Sequence, residues 1–215
     1  MIKSPASEAA RRIRQFILNH RLEPGDHLPT HDVLSQHLEI GRLPLREGLS
    51  ILRHQGLIKT RNKAGTIVCK PNIKNLGEPI SWHLDGVGYE FEDLVLARAC
   101  LESGAAAEAA ERRTARDLLK ILDALERLEA CTSLPNDLPE EESFHLAILE
   151  ATHNPVITTF GQLIQLQIQG VDLAKGTFKR HEESNKEHRA IYKAIDRKDR
   201  EAARSLMYSH ITVQL

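Results

Sequence analysis

Hydrophobic residues along this chain recur mostly at helical spacing, and the breaks in that spacing divide it into parts. Leu45, Leu49 and Leu52 fall at i, i+4 and i+7, one apolar stripe of a helix, with Arg42, Arg46 and Arg53 off the stripe. Pro44 suits the first turn, where its missing N–H costs nothing, and Gly56 is a natural terminator. Upstream, Ser4-Pro5 is a plausible helix start for Ala9, Ile13, Phe16 and Ile17. Glu23-Pro24-Gly25-Asp26 is a turn, and Thr30 can cap a second helix carrying Val33, Leu34 and Leu38. Gly41 breaks the chain between that helix and the next, so the two form a tight helix-turn-helix with the second as reader. Leu57 to Thr60 and Thr66 to Cys69 are two β-prone runs around a Gly-containing turn, a hairpin with Arg61 and Lys63 at its tip. Helix, helix, helix, hairpin within 72 residues predicts a winged helix-turn-helix.

Residues 73–88 hold three glycines and a proline without clear periodicity and are expected to be a linker, with Trp82 packing against one domain. From Tyr89 the pattern is helical almost throughout. Phe91, Leu94, Val95, Arg98, Leu101, Glu102 and Ala105 lie along one helix, and Leu118 to Leu128 along another. Leu134 to Pro139 interrupts. Glu140 to Glu142 open a helix at its positive end, and His153-Asn154-Pro155 stops it. Val156, Ile157, Phe160, Leu163, Ile164, Ile168 and Val171 mark a long amphipathic helix, followed by His181 to Ile195 and Arg200 onward. The expected fold is mainly α: a winged helix-turn-helix over 1–72, a linker over 73–88, and an all-helical antiparallel bundle over 89–215.

Charge sharpens this division. Residues 1–72 carry 12 Lys and Arg against 6 Asp and Glu, a net +6, while the remainder carries 17 against 24, a net −7. A basic module that binds a polyanion joined to an acidic module with another task fits that asymmetry, although a solvated surface fits it too. No apolar run approaches the ~18 residues of a membrane span, and the first residues lack the apolar core of a signal peptide. Cys69, Cys100 and Cys131 form no CxxC pair and are expected to be reduced thiols in a cytosol.

In the acidic part, Glu141 and His145 are four apart on one helix face, and His188 and His210 lie on the inward stripes of the last two helices. Three imidazoles and a carboxylate converging inside a bundle make a site for zinc, nickel, manganese or iron(II). The competing explanation is a set of satisfied core histidines. His181 and Glu142 rank below these four as ligands, and His20, His27, His37, His54, His83 and His153 are expected at the surface without a constellation.

The run LEPGDHLP, then a helix, then RLPLREGLSILRHQGLI and AGTIV resembles the N-terminal module of the GntR superfamily of bacterial regulators. That family's pattern is PG-x-x-LP, a Ser-Arg-x-Pro-Val-Arg-Glu-Ala-Leu reading helix and a Gly-containing wing; Pro24, Gly25, Leu28, Pro29, Arg42, Pro44, Arg46, Glu47, Leu49, Gly56 and Gly65 match in order. The resemblance implies that Arg42 and Arg46 contact operator DNA, with Thr30, His31, Lys63 and Gly65 as further candidates. Two positions depart. Gly41 stands where the family usually has Ser, and Asp32 where it has a DNA-touching arginine, so that either His31 substitutes or the operator is atypical.

The segment E-x-x-x-H followed by N-P, then EHRAIYKAIDRKDREAARSLMYSHI, is similar to the FCD ligand-binding domain of the FadR branch, an antiparallel bundle often holding a metal on an Asp and three histidines. His145, His188 and His210 match the histidines, and Glu141 takes the place of the Asp. Arg98 and Glu102 match the family's Arg-x-x-x-Glu, which implies that Arg98 grips the carboxylate of an organic-acid effector near the metal. The plainer alternative is an Arg98–Glu102 pair on the helix surface. The resemblance therefore implies a homodimeric regulator, acting by repression in the bacterial cytoplasm at the nucleoid. It would bind a palindromic operator and respond to a small carboxylate, with a divalent metal (zinc first) and no membrane partner. A purely structural metal without effector, or a metalloenzyme, are the alternatives.

Overall fold

The computed structural model describes residues 4–61, 65–130, 139–175 and 181–213, and their side chains except at Arg61, 170–175 and 181–183. Lys63, Cys131, residues 134–138 and the side chains of Arg61, Val171 and His181, all singled out above, lie outside the described residues. The chain is mainly α-helical and divides into two compact units, 1–78 and 79–215.

In the first unit, α1 (Pro5–Asn19) starts where Ser4 Oγ accepts from the Ser7 amide at 3.1 Å. It is followed by α2 (His31–Leu38), α3 (Arg42–His54) and the hairpin β1 (Ile58–Arg61) and β2 (Gly65–Val68). The strands are antiparallel, with Ile58 opposite Val68 and Arg61 opposite Gly65. Ile13, Leu34, Leu45, Leu49, Leu52 and Ile58 are buried together, so the predicted stripe of α3 is its inward face. Gly48 lies on that face. A Cβ there would come within 2.8 Å of the Ala10 nitrogen and 2.9 Å of Ala9 Cβ, so its missing side chain lets α1 and α3 approach closely.

The turn between α2 and α3 is tighter than Gly41 alone suggests. Glu39, not the glycine, takes the left-handed backbone (φ 51, ψ 45), and Ile40 N–H donates to the Ser35 carbonyl at 3.0 Å. Gly41 is extended and N-caps α3 without any side chain to bond the first turn. At the other end Gly56 (φ 69) donates to the Arg53 carbonyl at 2.9 Å and Leu57 to that of Leu52 at 3.0 Å. That pair of bonds satisfies the last carbonyls of the helix. The Pro24-Gly25 stretch is more than a turn: Leu28 N–H reaches Thr66 O at 2.8 Å and Val68 N–H reaches Asp26 O at 2.9 Å, so it runs along β2 and braces the hairpin.

The stretch expected as an aperiodic linker is helical, α4 (Lys74–Val87), with Pro79 inside it and Gly88 (φ 70) just beyond its end. Leu76, Ile80, Leu84 and Val87 in fact keep helical spacing, which the glycines and proline obscured. Trp82 does not pack as expected; it is 75% exposed, and no residue of α4 is buried.

The second unit contains α5 (Phe91–Arg112), α6 (Ala115–Ala130), α7 (Pro139–Ala151), α8 (Pro155–Lys175), α9 (His181–Asp196) and α10 (Arg200–Thr212). α5 is in contact with α7, α8, α9 and α10. Its run of small residues, with Ala99, Ala105, Ala106, Ala109 and Ala110 buried, permits neighbours on several sides. Termini are capped by side chains. Thr114 and Asp117 bond each other's amides ahead of α6, at 2.8 and 3.2 Å, a reciprocal cap. Asn154 Oδ1 accepts from the Val156 amide at 3.0 Å, so this residue starts α8 as well as following α7.

Candidate nucleic-acid interface and metal centre

On the first unit, the local fold turns the expected reading residues outward. With Leu45, Leu49 and Leu52 buried, Arg42 and Arg46, one turn apart, are exposed at the N-terminal half of α3. Thr30 occupies the N-cap position of α2 but makes no side-chain capping bond; it and His31 are exposed. Arg42 Nη2 lies 3.1 Å from Asp32 Oδ1 on α2, which joins the first turns of the two helices. Gly65 opens β2 with φ 80, a backbone that a side chain would strain. His20 and His37 are exposed as expected, yet they do share a cluster: His20 stacks on Phe16 at 3.9 Å and His37 meets the same ring edge-on at 5.2 Å.

Inside the second unit, α7 supplies Glu141 and His145, α9 supplies His188 and α10 supplies His210. One ligating atom from each of the four lies within 4.8 Å of all the others. Ring centroids are 5.6 Å apart for His145 and His188, 5.4 Å for His145 and His210, and 4.2 Å for His188 and His210. All three histidines are buried and Glu141 is half-buried.

Carboxylates stand behind two of the rings. Glu102 Oε2 accepts from His145 Nδ1 at 2.5 Å, and Glu187 Oε2 lies 2.8 Å from His210 Nδ1. Arg98 Nε donates to the other Glu102 oxygen at 2.9 Å. Burial pushes the Glu102 carboxyl up, but Arg98 and His145 pull it further down, to about 2. It is therefore an ionised acceptor for His145 Nδ1–H, which leaves Nε2 as the ring's other nitrogen. That Nε2 is buried and has no hydrogen-bond partner among the described residues. A buried imidazole nitrogen without a partner, oriented by a carboxylate and facing two more imidazoles and a carboxylate, is a donor set of the kind divalent metals take.

The Arg98–Glu102 pair is not the surface pair of the plainer alternative: its side chains are only 9% and 2% exposed. Each Glu102 oxygen takes part in one of these bonds, Oε1 with Arg98 and Oε2 with His145. Glu102 behind His145 and Glu187 behind His210 were not foreseen in those positions. Glu187 adjoins His188 in sequence, which was the only available signal. His153 is exposed, as expected, with Nε2 2.8 Å from Asp117 Oδ2.

A winged helix-turn-helix with outward arginines, joined to a helical domain with a buried histidine–carboxylate cluster, defines the class: a DNA-binding transcriptional regulator. The chain belongs to the gntR family of bacterial regulatory proteins. That family's model matches residues 5–68, and the FCD domain model matches residues 93–213. It is 32% identical to the Uxu operon transcriptional regulator of Escherichia coli (strain K12), over 96% of this chain and 84% of that one. It is 28% identical to the HTH-type transcriptional regulator LutR of Bacillus subtilis (strain 168), over 92% and 93%. A solved structure titled Streptococcus agalactiae GntR shares the fold with TM-score 0.81 at 24% identity, covering 97% of this chain and 98% of that one. The relatives are transcriptional regulators rather than enzymes, which removes the metalloenzyme alternative. No described helix is long and apolar enough to cross a membrane.

Proposed function

We propose that this regulator is an effector-responsive repressor. It binds a palindromic operator as a homodimer, in the cytoplasm at the nucleoid, through residues 1–72, while residues 89–215 hold effector, metal and dimer contacts. Arg42 and Arg46 contact base edges, where a guanidinium suits guanine, and Thr30, His31, Lys63 and Gly65 meet the backbone or groove around them. Glu141, His145, His188 and His210 hold a divalent metal, zinc first, with nickel, manganese or iron(II) as alternatives. The observation that carries this is the buried Nε2 of His145, oriented by Glu102 toward the other three donors. Such a metal would supply a Lewis-acidic position beside a small organic acid, and Arg98 would help to hold the acid's carboxylate. Glu102 completes the effector site with Arg98 and also orients His145. An acid that binds one state of the dimer better than the other changes DNA affinity by that difference.

One observation favours a second reading, a structural metal without effector: Arg98 Nε is already engaged by Glu102. Elemental analysis of the purified chain, with gel shifts on a duplex enriched from random-sequence DNA, separates the two. About one equivalent of metal, and one acid from a panel that weakens DNA binding roughly 5- to 150-fold, is expected. Metal without any responsive acid favours the structural reading. A chain that takes up no divalent metal even on reconstitution sinks both.

A further inference from the structure

Asp32 stands at the second position of α2 with its carboxylate 3.1 Å from Arg42 Nη2, at the first position of α3. Both side chains are largely exposed, 72% and 83%, so the pair contributes little to stability. An acid on a surface meant for DNA also repels phosphate and lowers affinity. A carboxylate in the first turn of α2 does favour the helix dipole, but that needs no arginine opposite.

We propose that Asp32 is a positioning residue that sets the sequence specificity of Arg42. The inference rests on Arg42 being a base-contacting residue of the reading helix. An exposed arginine is long and flexible, and in a groove the nearest acceptors are phosphates, which carry no sequence information. Asp32 takes one of the guanidinium's five N–H groups and leaves the rest for a base edge. Held by this acceptor, the guanidinium is kept from the phosphate-bound alternative. Specificity is a difference of affinities, and a group that disfavours the wrong contact raises it even while total affinity falls. Asp32 therefore exchanges general affinity for discrimination at the base that Arg42 meets.

The test uses the full chain, a duplex enriched from random-sequence DNA by the unmodified protein, and a scrambled duplex of equal composition. Circular dichroism checks that each variant folds. Asp32→Ala and Asp32→Asn should both bind the scrambled duplex a few-fold more tightly, through loss of a repelling charge. Their preference for the enriched duplex should differ: Asp32→Ala should lose about tenfold, whereas Asp32→Asn, which keeps an acceptor for Arg42, should retain most of it. Arg42→Ala should lose about 10- to 100-fold of the preference, with no further loss on adding Asp32→Ala. An unchanged preference in both Asp32 variants, with Arg42→Ala impaired, overturns the positioning role and leaves Arg42 as a reader. Equal losses in Asp32→Ala and Asp32→Asn overturn it too, since charge alone then acts. An Arg42→Ala variant with full preference overturns the reading role of Arg42 and this role of Asp32 together.

Discussion

Two arginine–carboxylate pairs of nearly equal length stand in opposite surroundings. Arg42–Asp32 measures 3.1 Å on the exposed first turns of α2 and α3, whereas Arg98–Glu102 measures 2.9 Å inside the helical domain. The first is solvated, so either partner can leave and water takes its place. The second has left water behind, and each of its charges is compensated in part by the other. Geometry alone would rank the two together. Burial makes one an adjustable surface device and the other a structural commitment, because Glu102 also holds His145.

The sharpest way to break this contrast is Glu102→Ala. It removes a partner of the buried Arg98 guanidinium and the acceptor from His145 Nδ1, and should cost about 3–5 kcal/mol in chemical denaturation. Glu102→Gln, which preserves shape, should cost less. A loss below about 1 kcal/mol for Glu102→Ala would mean that the buried pair behaves like the exposed one.

Next in size are two exchanges that should act on opposite modules. Arg46→Ala should lower preference for an enriched DNA duplex by about 10- to 100-fold and reduce the salt slope by about 1, at unchanged metal content. His188→Ala should do the reverse: little metal by elemental analysis, and basal DNA binding retained in a gel shift. Full-strength DNA binding by the Arg46 variant would remove it from the interface.

A smaller effect concerns Asp117, in the first turn of α6. Burial raises its carboxyl, but bonds from Thr114 and His153 more than compensate and hold it below its ordinary value. A carboxyl lowered in the folded state stabilises above the ordinary aspartate value of about 4, and that stabilisation is lost as pH falls through the folded value. Asp117→Ala should cost about 1–2 kcal/mol at neutral pH. It should also flatten the decline in stability below about pH 4, read as melting temperature against pH; an undiminished acid decline would count against Asp117. Smallest of all, Asp32→Ala should leave denaturation within about 0.5 kcal/mol, consistent with a role outside stability.

Much of this was legible beforehand. The leucine stripe of α3, Pro44 and Gly56 marked the reading helix, and its inward face and terminator are where the spacing places them. The E-x-x-x-H pair and the two later histidines marked a cluster, and their ligating atoms do converge. α4 was missed because Gly77, Gly86 and Pro79 are strong local breakers that outweighed the spacing of Leu76, Ile80, Leu84 and Val87. Asp32 was legible only as a departure from a pattern; that it faces Arg42 depends on the turn at Glu39.

Periodicity, capping residues and turn chemistry are local, so the chain by itself determined its helices other than α4, its hairpin and the outward placement of Arg42 and Arg46. The pairings were left to tertiary structure. Glu102 meets His145 across 43 positions of sequence and Glu187 meets His210 across 23. Such distances close only when helices pack, and the same packing excludes the water that would otherwise make each of these contacts unimportant.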